Sequence, residues 1–103
     1  MASVLIEITR FVDDHFPGFV ECVLTDVQGR AHAFIEKLPV VTLEHLSSDS
    51  EYPCAGVIPC EIESEFSDST GRLLARINTD RPDAIESTSG ETKFVVLSSQ
   101  LIR

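Results

Sequence analysis

The chain has no tryptophan, one tyrosine and one methionine among its 103 residues, so the large side chains of any core must come from six phenylalanines and from aliphatic residues. Glycine and proline number five each, too few for a collagen-like or low-complexity segment. No apolar run approaches the ~18 residues that span a bilayer as a helix. The start, Met1-Ala2-Ser3-Val4-Leu5-Ile6-Glu7, has no basic stretch and reaches a charge after three large apolar residues, unlike a secretory leader. These absences predict a soluble, cytoplasmic protein that does not engage membranes.

The three cysteines, Cys22, Cys54 and Cys60, lack the close pairing of a structural zinc site, and only His15, His32 and His45 are available as further ligands. No metal and no cofactor are expected. A reducing compartment would keep the cysteines as thiols, and the one disulfide to weigh, Cys54 to Cys60, is not expected to form. There is no G-x-x-x-x-G-K-[ST], no G-x-G-x-x-G and no G-x-S-x-G, so nucleotide binding and serine hydrolysis have no support. The chain reads as a protein without catalytic residues.

What is present is a repeated turn. Asp26-Val27-Gln28-Gly29-Arg30 and Asp68-Ser69-Thr70-Gly71-Arg72 each sit between alternating apolar segments, as in a β-hairpin closed by a turn with Asp at its start and Gly at its end. A four-residue connection would pair Leu24 with Ala31, Cys22 with Ala33 and Val20 with Ile35. The same arithmetic pairs Phe66 with Leu73, Ser64 with Ala75, Ile62 with Ile77 and, on the outer face, Glu63 with Arg76. A slip of one residue would turn either apolar set to water.

Around these hairpins, Val4, Ile6 and Ile8 predict a first strand over residues 3–11, the segment 57–66 the strand into the second hairpin, and residues 92–97 a last strand. Residues 85–88 read as a brief extended piece and 42–47 as one short helical turn. The prediction is a single all-β domain over residues 1–103, a small barrel of six or seven strands with at most one helical turn. At this length folding removes about two-thirds of the unfolded surface from water, so no staple is needed.

Pro17-Gly18-Phe19 leading into a strand, a hairpin, Tyr52-Pro53 before Gly56, the Gly-Arg hairpin, then Arg81-Pro82 and Ile85-Glu86 leading to Gly90 and Phe94-Val95-Val96, is an order that resembles the C-terminal barrel of Tu-type translation elongation factors. That resemblance implies a barrel module that binds macromolecules, and it carries no GTPase. An OB-type barrel, with its short helix between the third and fourth strands, fits the coarse order as well.

Charge is the uneven property: residues 41–70 hold seven acids and no base, and so carry −7 of the total −9. Glu61, Glu63 and Glu65 alternate along one predicted strand and are expected on one outer face, with Asp68 in the adjoining turn. Such a field suits a basic protein partner, as for an acidic inhibitor or immunity-type protein, and disfavours direct contact with nucleic acid. Phe19, Val23 and Phe34 are expected together on the outer face of the first hairpin as a second candidate surface, beside His32. The alternative is a small ligand-binding or enzymatic barrel that uses Asp13, His15 and Tyr52 from loops.

Overall fold

The computed structural model describes residues 1–103. Its strands are β1 (Ala2–Asp13), β2 (Phe19–Thr25), β3 (Ala31–Lys37), β4 (Cys54–Ser67), β5 (Leu73–Asn78), β6 (Lys93–Leu97) and β7 (Leu101–Ile102), with one helical turn, α1 (Leu38–Val41), and a 3-10 turn at Ser98–Gln100. The sheet is antiparallel in the order β3-β2-β1-β4-β5-β6, with β7 added to β1, and it curls into a small half-closed barrel. The all-β barrel expected from the alternation is therefore the fold. No helix is long and apolar enough to cross a membrane.

The two long strands make the curl. β1 pairs with β4 through Ala2–Ile8 and with β2 through Glu7–Asp13, while β4 serves β1 with Cys54–Cys60 and β5 with Glu61–Ser67. Bulges at Thr9 and Val12 on β1 and at Glu63 on β4 bend each strand where it changes partner. Gly56 sits where β1, β4 and α1 come closest: a Cβ there would lie 2.9 Å from Ile8 Cδ1 and 2.9 Å from the Val41 carbonyl oxygen. Its role is close packing.

Alternating residues fill the interior: Val4, Ile6 and Ile8 from β1, Val20, Cys22 and Leu24 from β2, and Ile58 and Cys60 from β4. Phe34 of β3 and Phe94 of β6, on the two outermost strands, meet edge to face with centroids 5.7 Å apart. Hydrogen bonds bridge the same seam, from Val27 N–H to Val95 O at 2.9 Å, from Thr88 N–H to Ala33 O at 2.8 Å, and from Gln100 Nε2 to Thr25 O at 2.9 Å. On the free edges, Ala33 O of β3 and Val95 O of β6 are thus satisfied without a continuous ladder.

Both hairpins form, in a register one residue from the expected one. Asp26 pairs with Arg30 and Asp68 with Arg72, leaving three-residue loops with Gly29 and Gly71 at φ of +82° and +84°. This is a type I turn closed by a glycine bulge, which the left-handed backbone of glycine permits. Each Asp Oδ1 accepts two backbone N–H groups, from Gln28 and Arg30 in the first copy and from Thr70 and Arg72 in the second. The pairs are consequently Leu24–His32, Cys22–Phe34 and Val20–Glu36, then Phe66–Leu74, Glu65–Ala75 and Ser64–Arg76. Beyond the Glu63 bulge the shift is undone, and Ile62 faces Ile77 as expected.

The helical turn also moves, from the expected 42–47 to Leu38–Val41, where Pro39 lies in the first turn and needs no intrahelical donor. Thr42 is already extended, and its hydroxyl accepts the Glu44 N–H at 3.1 Å. A Cys54–Cys60 disulfide is ruled out by place: six residues apart on one extended strand puts their Cα atoms roughly 20 Å apart, against the ~7 Å limit for a bridge.

Candidate functional site

A register shift of one residue exchanges the faces of β3, and this decides what the surface offers. Phe34 is fully buried, so it cannot join Phe19 and Val23 in an exposed patch. Those two remain on the outer face and are half-buried, between β1 and β3 neighbours such as Glu7, Ala33 and Lys37. His32 turns inward, opposite Leu24, and packs edge to face on Phe94 with centroids 4.9 Å apart.

The expected acidic face is divided too. Glu61 pairs with Asn78 before the bulge and Glu65 with Ala75 after it, which sets them on opposite faces of the sheet. Glu63 lies 3.8 Å from Lys93 Nζ and does not face Arg76; Glu65 is held by Arg103, which keeps its carboxyl below the ordinary value. Asp68 is held far lower by hydrogen bonds from the Thr70 hydroxyl and the Arg72 side chain. Of the seven acids in residues 41–70, Glu44, Asp49, Glu51 and Glu61 have no basic partner within 4.0 Å.

Asp13 and His15 share a hydrogen bond in the β1–β2 turn, Nδ1 to Oδ1 at 3.2 Å, and Asp14 brings a third ligand-type atom within 4.8 Å, all three exposed. Tyr52 packs against the core and donates its hydroxyl to Ser47 O at 2.6 Å. None of Asp13, His15 and Tyr52 lines any of the four main concavities.

A groove of about 490 Å³ lies between the tip of the first hairpin and the sheet β4-β5-β6. Val27 from the tip, Phe66, Leu74 and Val95 line it with apolar surface, and Arg30, Arg76, Lys93, Glu63 and Glu91 stand around it. Arg76, exposed on β5, places its guanidinium carbon 4.6 Å from the centre of the Phe66 ring.

At one end of the groove, His32 and Asp26 form a largely enclosed pair, with side chains 13% and 8% exposed. His32 Nε2 lies 2.8 Å from Asp26 Oδ2, and since a carboxylate only accepts, Nε2 carries the proton. Burial alone would raise the Asp26 carboxyl, but the hydrogen bonds from His32, Arg30 N–H and Gln28 N–H outweigh it and leave the group below its ordinary value. The other ring nitrogen, Nδ1, points to Glu91 Oε1 at 3.9 Å. No hydroxyl or thiol bonds to His32; the nearby Ser87 Oγ instead accepts the N–H groups of Ser89 and Glu91 in its own turn. The pair therefore anchors the hairpin tip and has no nucleophile in line.

Sequence reading missed Asp26, His32, Arg76 and Phe66 as a group. The available signal was the turn aspartate with a histidine six residues on, but recognising it needed the three-residue loop count. The chain matches no protein-family model, no curated protein and no solved structure.

Proposed function

We propose that this protein is a non-enzymatic barrel that acts by binding another protein, with the groove beside the first hairpin as its contact. One observation carries the reading. Arg76 places its guanidinium 4.6 Å from the Phe66 ring centre in a groove lined by Val27, Leu74 and Val95, and arginine with an aromatic ring in a shaped pocket is the composition of binding hot spots. Asp13, His15 and Tyr52 do not converge in any of the main concavities, which favours binding over the enzymatic alternative.

A second reading has its own observation: Glu44, Asp49, Glu51 and Glu61 lack counter-ions, so a basic partner would meet an uncompensated acidic surface. A pull-down from native lysate followed by binding measurements separates the two. Val95→Arg, which fills the groove, should weaken the partner by at least about tenfold, the usual cost of a blocked anchor. Reversal of the four free acids to Lys should instead slow association and flatten its salt dependence if the acidic surface is the contact. A partner that binds the Val95→Arg protein like the wild type rejects the groove.

A further inference from the structure

We infer that the groove takes an extended partner segment that presents a carboxylate to Arg76 and apolar side chains to Val27, Leu74 and Val95. The inference rests on the protein-binding reading and gives that partner its chemistry.

The chain has seventeen acids to eight bases, so a base without an acid is the unusual state. Arg10, Arg30, Arg72, Lys93 and Arg103 each have a carboxylate oxygen within 4.0 Å. Lys37, Arg76 and Arg81 do not, and of these only Arg76 lines the groove. The rim acids are turned elsewhere, Glu63 to Lys93 at 3.8 Å and Glu91 to His32 at 3.9 Å. Asp26, the remaining acid, is occupied by His32 and by Arg30 at 3.5 Å.

The guanidinium carbon lies 4.6 Å from the Phe66 ring centre, and no carboxylate of this chain occupies its fork of N–H donors, which matches a carboxylate in two parallel bonds. The same ring is a wall for the aliphatic part of the residue bearing that carboxylate. Around it the floor is apolar, and the groove volume of about 490 Å³ lies in the ordinary range of ligand sites. An isolated carboxylate in water would gain little from Arg76 alone, since exposed ion pairs are weak. Apolar neighbours that exclude water make the contact worth more, and a polypeptide segment supplies these together with backbone N–H groups for Glu91.

The test is selection of random displayed heptapeptides on the intact protein and on Arg76→Gln, Arg76→Glu and Val95→Arg, each first shown to melt cooperatively. The expected result is enrichment of Asp or Glu beside apolar residues on the wild type. A peptide so selected should bind the Arg76→Gln protein about tenfold more weakly, the loss of one charge-assisted pair, and the Arg76→Glu protein should select Lys or Arg in its place. Absence of any selected peptide, selection without acids, or equal binding to the Arg76→Gln protein each overturns the inference. The outcomes are separable from the reading beneath it: a lysate partner lost with Val95→Arg but retained with Arg76→Gln keeps protein binding and rejects the carboxylate.

Discussion

His32 donates its Nε2–H to Asp26 Oδ2 at 2.8 Å across the first hairpin, where the matching oxygen of Asp68 in the second hairpin takes Arg72 Nε at 2.7 Å. The turns share their internal backbone bonds but not their side-chain partners: Asp26 Oδ2 meets the enclosed His32, with Arg30 Nε at 3.5 Å, whereas Asp68 takes the exposed Arg72 and the Thr70 hydroxyl. Asp26→Ala would leave a shielded imidazole N–H without its acceptor, at a cost of about 1–3 kcal/mol. Urea unfolding should accordingly show a larger loss for Asp26→Ala than for Asp68→Ala, and equal losses would deny the His32 contact its part.

Gly29 and Gly71 adopt positive φ with nothing within 4 Å of an added Cβ, so substitution there tests backbone strain alone. Gly29→Val and Gly71→Val should each destabilise by about 1 kcal/mol or more, and Asn at either place should cost less, because Asn tolerates the left-handed region. Matched urea midpoints for Val and Asn would contradict the turn geometry.

Gly56→Ala probes crowding instead, because the new methyl meets the Val41 carbonyl, which cannot swing aside like a side-chain end. Overpacking of this kind costs about 1–3 kcal/mol. The Tm from calorimetry should fall clearly, whereas Ala55, exposed next to it, should accept Ser with little change.

The carboxyls of Asp26 and Asp68 lie below their ordinary value of 3.8 in the folded protein, Asp26 despite burial and Asp68 through Thr70 and Arg72. A lowered folded value means the unfolded chain binds protons first. Their contribution is therefore complete above about pH 4–5 and lost as pH falls through the folded values. The urea midpoint should drop on acidification below pH 4, and the drop should be smaller in the Asp68→Ala protein.

Burial pushes the Cys22 thiol up to about 12 and the Cys60 thiol up to about 11, whereas Cys54, also raised, is only half-buried. At pH 8 a disulfide reagent should modify Cys54 first, with Cys22 and Cys60 reacting at the rate of unfolding. Cys54→Ser should remove the fast phase, and a fast phase that persists would place an open thiol elsewhere.

Alternation along β1, β2 and β4 was enough to read an all-β domain, because one apolar stripe per strand is a local property of consecutive residues. The two turns were legible for the same reason, since Asp and Gly at that spacing act on their own backbone. Register was not. Ala31, Ala33 and Ile35 form one apolar stripe of β3 and Phe34 sits in the other, so either face could have been the inner one; the loop count and the room beside Phe94 selected Phe34 and His32. On β4, the bulge at Glu63 separated Glu61 from Glu65, and counter-ions for Glu63 and Glu65 arrived from Lys93 and Arg103, remote in the chain. The hairpin signals and the net charge of −9 thus belong to the sequence. The groove and the place of the unpaired Arg76 within it exist only once closure brings the first hairpin against β6, because they join residues that no local pattern relates.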